Sequence, residues 1–257
     1  MIVIDTLCYR SRLRYVNAAE KVAFSILTLI FCVVSRSCIV AVLALITNGF
    51  LTVGKGKLSF SRYGKLMMVP VVFLLLSTAA IVVNLSRAPM DAFAFSVGAW
   101  YLTGSYEGLR FGLRLILTAW ASVSCLYFLS LNTTVTDILS VLRKLHCPDI
   151  LTELMLLIYR FLFIVLHTAS EIRAAQDARL GNRDFRTAVQ SFGKMGTALL
   201  IQSLKKSNAL YDAMESRCYD GKIRVLTEEY PARAKEITGI VLFELLLLAL
   251  TVWRIGK

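Results

Sequence analysis

Charge is scarce in this 257-residue chain. Charged residues make up 18% of it and apolar residues 57%, where soluble domains carry about 25% charged residues. That shortfall, with a mean hydropathy of +0.65, excludes a disordered chain and argues against an ordinary soluble enzyme. Four prolines and fourteen glycines exclude collagen-like and linker-rich chains. There are two histidines, and His146 beside Cys147 is a poor chelating pair with only His167 elsewhere, so no metal site is expected. A G-x-x-x-x-G-K-[ST] phosphate loop is missing, so the chain is not expected to bind or hydrolyse ATP itself. No H-E-x-x-H and no Ser/His/Asp set stands out, which leaves no catalytic residues and no cofactor to assign. Cys8, Cys32, Cys38, Cys125, Cys147 and Cys218 form no C-x-x-C pair and read as reduced thiols. The segment Met1–Glu20 lacks a small-residue cleavage site and is not read as a signal peptide.

Acidic residues are also few, 17 against 29 Lys and Arg, for a net charge of +12. In a soluble protein such an excess points to nucleic acid; in an apolar chain it points to basic cytoplasmic loops. The apolar runs decide for the second reading, with a lipid bilayer and no nucleic acid as partner. Val22–Val53 carries a single charge, Arg36. Its 32 residues would reach about 48 Å as one helix, against a hydrocarbon core of ~30 Å, so two short helices folded at Ser35-Arg36-Ser37 are expected. Further runs cover Lys65–Leu85, with Pro70 in the first turn or two, then Leu109–Leu131 and Ile237–Trp253. Arg110 and Arg114 share a face early in the third of these four, and Glu244 lies inside the last, where it needs a hydrogen-bonding partner or a proton. Gly104, Gly108 and Gly112 are either loop residues or one smooth face for close helix contact. Gly54-Lys55-Gly56-Lys57 reads as a basic loop against anionic headgroups.

Asp149–Ser170 is long and apolar enough to span, yet holds Glu153, Arg160 and His167. Charge placement argues against a crossing. With five spans the inner segments hold 4 basic residues (1–21), 4 (54–65) and 15 (132–236), while Arg36, Arg87, Arg254 and Lys257 lie outside. A sixth span would move ten Lys and Arg between Arg183 and Lys235 to the outside, against the positive-inside rule. The expected fold is an all-α membrane protein of about five transmembrane helices with its N-terminus in the cytoplasm. Residues 1–131 hold four spans, 132–236 a cytoplasmic or interfacial set of long amphipathic helices, and 237–257 the last span.

Within 132–236 the apolar positions keep helical spacing. One face runs through Leu151, Leu154, Met155, Ile158, Phe161, Leu162, Val165, Ala169, Ile172 and Ala175. A second runs through Val189, Phe192, Gly196, Leu199, Leu200, Ser203, Leu204, Ser207 and Leu210. A shorter helix, Thr134–Leu145, stops before Pro148. Both long helices end alike, Arg179 before Gly181 and Arg217 before Gly221. Each ending reads as an ordinary cap, with Gly left-handed and Arg on the negative end of the helix dipole. The pair also reads as two guanidinium tips for an acidic groove on a dimeric partner, since the planar fork of Arg binds a carboxylate through two hydrogen bonds.

The segment A-M-E-S-R-C-Y-D-G-K-I-R-V-L (Ala213–Leu226) closely resembles the signature of the CbiQ family, the transmembrane T component of cobalt-type energy-coupling factor (ECF) transporters. Q-D-A-R-L-G (Gln176–Gly181) is similar to the first coupling motif of that family, and I-D-T-L-C-Y-R-S-R-L-R-Y-V-N-A-A-E-K (Ile4–Lys21) to its opening. The resemblance implies a non-catalytic coupling subunit of a multi-pass bacterial or archaeal cell membrane importer. Two X-Arg-X triplets, Ala178-Arg179-Leu180 and Ser216-Arg217-Cys218, would dock into grooves on two CbiO-like ABC ATPase subunits. The coupling-helix faces, including Leu151, Leu154, Ile158, Phe161, Leu162, Leu199, Leu200 and Leu204, would press on a CbiM-like substrate-binding subunit, with a small CbiN-like accessory subunit beside it. Cobalt is the implied solute, with nickel or a vitamin as alternatives and an intramembrane enzyme as the contrasting class. The chain departs from the family pattern at Cys218, where Gly is usual, at Ser216, where Ala is common, and at Ala18, where Pro usually follows the Asn.

Overall fold

The structure, a computed structural model, describes residues 3–82, 84–86, 93–97, 100–104, 106–221, 223 and 230–255. Arg87, Lys257, Lys222 and the segment 224–226 of the signature lie outside the described residues. The described helices are α1 (Val3–Arg10), α2 (Ala18–Ser35), α3 (Cys38–Phe50), α4 (Phe60–Val82), α5 (Tyr106–Asn132), α6 (Val135–Lys144), α7 (Asp149–Ala178), α8 (Phe185–Glu215) and α9 (Ala234–Ile255). The chain is an all-α membrane protein. Six of these helices, α2 to α5, α7 and α9, are long and apolar enough to cross a bilayer, α3 together with the turn that follows it. Five coincide with the runs expected to span, and α7 is the helix set aside on charge. Between α4 and α5 a small antiparallel sheet forms from β1 (Asn84–Ser86), β2 (Phe93–Val97) and β3 (Trp100–Gly104). β3 is its middle strand, with Asn84 opposite Thr103 and Phe93 opposite Gly104. The sequence reading left this connection without structure.

The chain divides into two compact units, residues 139–227 and residues 2–138 with 228–257. In the second unit α2 and α3 separate where expected: α2 ends at Ser35, Arg36 turns left-handed (φ 45°) and α3 starts at Cys38. α5 packs on α2, α3 and α4, while α9 lies along α2. The core gathers Cys32, Val40, Ala41, Ala44, Ala121 and Leu247. Glu244 is met there by the Thr28 hydroxyl, which donates to its Oε1 at 2.8 Å. Asn48 on α3 donates to Ser124 Oγ (3.3 Å) and Cys125 Sγ (3.1 Å) on α5, and Ser25 donates to the Cys125 carbonyl (2.8 Å). Such interhelical bonds hold apolar helices together where lipid offers no hydrophobic contrast. Arg254 at the end of α9 donates to the Ser35 carbonyl at the end of α2 (2.6 Å), satisfying a terminal helix carbonyl.

Two sequence expectations change here. α4 starts at Phe60, so Pro70 stands in its middle and not in its first turns. Proline has no N–H to donate, and the loss of that one helix hydrogen bond is something transmembrane helices tolerate. Of the three spaced glycines, Gly104 belongs to β3, and Gly108 and Gly112 to α5. Gly112 is the contact: a Cβ there would stand 2.8 Å from Thr78 Cγ2 and Val82 Cγ2 of α4. Arg110 and Arg114 are exposed in the early turns of α5. At 27 residues this helix reaches about 40 Å, past the ~30 Å core, so its first turns fit headgroup level.

A buried polar cluster closes the end of α5. Ser11 Oγ donates to Asn132 Oδ1 (2.7 Å), and the Lys21 ammonium donates to the Leu13 and Asn132 carbonyls (3.0 and 2.9 Å). Gly56, after the π-helical turn Leu51–Lys55, fits against it only because it lacks a Cβ, which would lie 2.8 Å from Asn132 Oδ1. Tyr230 returns the chain to this unit: its carbonyl accepts from Asn17 Nδ2 (3.0 Å) and its ring meets Tyr15 edge-on at 5.6 Å.

In the other unit, α6, α7 and α8 end in one and the same backbone motif. The residues His146, Leu180 and Cys218 are left-handed (φ 62°, 57° and 59°). After each, the next amide reaches back five residues: Cys147 to the Leu142 carbonyl, Gly181 to Gln176, and Tyr219 to Met214. These are Schellman closures. The left-handed residue of α7 is therefore Leu180 and not Gly181. The lack of a side chain at Gly181 serves space, since a Cβ would lie 2.9 Å from Ser191 Oγ. The left-handed residue that closes α8 is likewise Cys218 and not the expected Gly221, which is left-handed too (φ 84°) but lies three residues beyond the closure.

Two substitutions test this packing. Gly112→Leu is expected to destabilise the α4–α5 contact by about 1–3 kcal/mol through overpacking, read as a lower thermal midpoint in detergent. Gly239→Leu, with open space around Gly239, should leave the midpoint unchanged or raise it. The left-handed conformation costs an L-residue ~1–2 kcal/mol, so Cys218→Gly is expected to raise stability by roughly 0.5–1 kcal/mol after the added freedom of the unfolded chain is subtracted, measured by denaturant titration.

Candidate functional site

The two arginine triplets belong to residues 139–227, and the elements that present them are the long helices α7 (30 residues) and α8 (31 residues). The expected spans of helical periodicity are met closely. α7 ends at Ala178, Arg179 follows as its cap residue, and Leu180 makes the left-handed turn. α8 ends at Glu215, Ser216 continues it, and Arg217 stands before the left-handed Cys218. The two arginines therefore occupy the same place in the same closure. Both are exposed, and among the described residues neither has an ion-pair partner.

α8 folds back along α7, and hydrogen bonds fix the pair at three levels. Next to the turn, Gln176 Nε2 donates to the Ser191 carbonyl (2.9 Å) and Ser191 Oγ donates to the Gly181 carbonyl (2.7 Å). Asn182 Nδ2 donates to Asp177 Oδ1 within the turn itself. In the middle, Lys206 Nζ donates to Thr168 Oγ1 (3.0 Å), beside an apolar seam of Ile164, Val165 and Leu199. At the far end, Glu153 is buried and accepts twice. The Tyr219 hydroxyl donates to its Oε2 (3.0 Å), and the Ile223 amide donates to its Oε1 (3.1 Å). The Glu153 carboxylate holds the Tyr219 proton, pushing that hydroxyl above the ordinary tyrosine range.

This arrangement puts the arginines at opposite ends of one antiparallel pair. Arg179 stands at the turn, and Arg217 at the level of Glu153. The 26 residues of α7 from Glu153 to Arg179 correspond to about 39 Å of helix. Arg179 and Arg217 are thus too far apart to enter one groove together, and their separation is set by a rigid element.

The three ionisable residues noted in the apolar stretch of α7, Glu153, Arg160 and His167, take different places. Glu153 is an anchor, Arg160 is exposed, and His167 Nδ1 lies 3.4 Å from Glu171 Oε1 on the surface. The predicted contact face of α7 is open: Leu151, Leu154, Ile158 and Leu162 are exposed and Phe161 is half-buried. On α8, Leu200 and Leu204 are exposed, whereas half-buried Leu199 turns into the seam with α7. Near the turn a further apolar hollow of about 450 Å³ is lined by Gln176, Phe185, Val189, Phe192 and Met195. Sequence reasoning missed the anchoring role of Glu153 and Tyr219. Their 66-residue separation carries no local signal, although a carboxylate in an apolar stripe was itself the clue. No group of three His, Cys, Asp or Glu able to hold a metal is found among the described residues.

A family model described as cobalt transport protein, CbiQ, matches residues 10–228. An uncharacterized protein of Methanocaldococcus jannaschii is 30% identical over 249 residues, covering 96% of this chain and 92% of that one. The cobalt transport protein CbiQ of Salmonella typhimurium is 26% identical over 226 residues, 86% of this chain and 98% of its own. A Methanocorpusculum labreanum protein named as a fused cobalt transport protein CbiMQ is 29% identical over 251 residues, 96% of this chain and 41% of that longer one. With that match across most of its length and its apolar helices, the chain is a multi-pass membrane protein and belongs to the CbiQ family of cobalt transport proteins.

Proposed function

We propose that the chain is the transmembrane coupling subunit of an ECF-type importer for cobalt. In this reading it hydrolyses nothing itself and passes ATP-driven movement from two ATPase subunits to a substrate-binding membrane subunit. The observation that carries the reading is the pair of equivalent, exposed arginines, Arg179 and Arg217, without ion-pair partners among the described residues and displayed by identical closures at opposite ends of one helix pair. Two equivalent tips suit a partner with two equivalent grooves, as in an ATPase dimer. The tips occupy the triplets Ala178-Arg179-Leu180 and Ser216-Arg217-Cys218.

In the mechanism, nucleotide binding closes the ATPase dimer and shifts its grooves. Each guanidinium, held in a groove by acidic side chains through paired hydrogen bonds, follows. Because α7 and α8 are bonded to each other at three levels, displacement of the tips moves the pair as a lever. The open faces, Leu151, Leu154, Ile158, Phe161 and Leu162 on α7 and Leu200 and Leu204 on α8, then press on the substrate-binding subunit. The fused relative, whose name joins CbiM to CbiQ, supports a CbiM-like protein as that subunit, with a small CbiN-like protein as accessory.

Placement follows charge. The reading sets residues 132–236 on the cytoplasmic side, with the N-terminus inside. α7 then lies outside the hydrocarbon despite its apolar length, because a crossing would carry ten basic residues between Arg183 and Lys235 to the far side.

The test is co-purification with the ATPase subunits together with uptake of radioactive cobalt by cells. Removing one partner of a buried, hydrogen-bonded charge pair costs ~2–5 kcal/mol, so Arg179→Ala or Arg217→Ala is expected to weaken ATPase retention by roughly 30-fold or more. Arg→Lys, which keeps the charge but loses the fork, should fall between the wild type and Ala. Full cobalt uptake in the double Arg→Ala variant would overturn the reading.

A further inference from the structure

We propose that the cleft between α3 and α4 is a binding site for one anionic phospholipid, its acyl chain in the cleft and its phosphate on the basic turn above it. The cleft holds about 500 Å³ and is walled by Leu45, Ile46 and Phe50 of α3 and by Tyr63 and Met67 of α4, over Trp120 of α5. It is open because α4 packs on α5 and not on α3. Gly49 and Gly64 widen it: a Cβ at Gly64 would meet nothing within 4 Å, and one at Gly49 only Tyr63 at 4.0 Å.

The length of the cleft suits an acyl chain. The α4 wall runs from Phe60 to Val71, about 16 Å of helix. One leaflet of the hydrocarbon core is ~15 Å deep, so the cleft is as long as one leaflet. An acyl chain matches that length, and Met67 and Met68 on the cleft wall are side chains that adapt to irregular apolar shapes.

Charge selects the headgroup. The cleft opens by Phe50 and Phe60 at the turn joining α3 to α4, and that turn with the start of α4 carries Lys55, Lys57, Arg62 and Lys65. All four are exposed, and none has an ion-pair partner among the described residues. Between Glu20 and Asp91 the sequence holds no acidic residue at all. Four exposed cations, without ion-pair partners among the described residues, at the mouth of a leaflet-deep apolar cleft match a phosphate with an attached chain. A zwitterionic headgroup, whose own cation would meet these side chains, matches less well.

Native mass spectrometry of the full-length protein tests this. The protein, purified in mild detergent, is equilibrated with equal amounts of phosphatidylglycerol and phosphatidylcholine of matched chains. Retention of one lipid, with phosphatidylglycerol favoured at least fivefold, is expected. The quadruple variant Lys55→Gln, Lys57→Gln, Arg62→Gln, Lys65→Gln should lose that preference while still retaining lipid. Gly64→Leu should lose both lipids with helicity unchanged, and Met68→Trp supplies the same test if Gly64→Leu does not fold. Equal retention of the two lipids by the wild type, or undiminished retention in the filled variants, would overturn the proposal. So would crosslinking of Gly64→Cys to another polypeptide in native membranes, which would assign the cleft to a protein helix.

Discussion

The buried carboxylate of Glu153 decides where the second arginine stands. A carboxylate removed from water needs donors on its oxygens, and here the Tyr219 hydroxyl and the Ile223 amide supply them. Both donors lie just beyond Arg217 in the chain. Meeting the needs of Glu153 therefore draws the end of α8 onto the beginning of α7. At the other end Ser191 and Gln176 tie α8 to the turn beside Arg179. With both ends closed, the helix pair has little freedom to splay, and the distance between its two tips is the length of a helix and not that of a loop.

The unit of residues 2–138 and 228–257 follows the same rule. Its polar side chains are few, and several of the buried ones meet across elements: Thr28 with Glu244, Asn48 with Ser124 and Cys125, Lys21 and Ser11 with Asn132. Each pairing joins segments distant in sequence, so each fixes which helices are neighbours. The glycines act by absence of bulk. Gly112 admits α4 to α5, and Gly56 admits a turn to the Asn132 cluster. α4 gains one neighbour by this means, and on its other side the cleft facing α3 stays open.

Both tips also show how a strained residue can be useful. Leu180 and Cys218 hold a conformation that glycine adopts more easily, and the closure they make turns the chain sharply after each arginine. A side chain just before such a turn is left at the end of the rod with no following helix to cover it. Glycine would hold the position of Cys218 with less strain, since the left-handed region excludes most side chains.

The periodicity of apolar residues was enough to determine the helices, because helical spacing is local: the break at Ser35-Arg36-Ser37, the ends of α7 and α8, and the turn at Gly181-Asn182 all stand where residue order alone places them. The arginine triplets were legible for the same reason, being short and contiguous. Composition likewise determined a membrane protein. What the tertiary structure decided depends on partners far apart in sequence: Glu153 with Tyr219, Thr28 with Glu244, Leu199 in the seam and not on the free face, Pro70 in mid-helix, and a small sheet where a plain connection was expected. A hydrogen bond between residues 66 or 216 positions apart leaves no trace in local spacing. It exists only once the chain has folded back on itself.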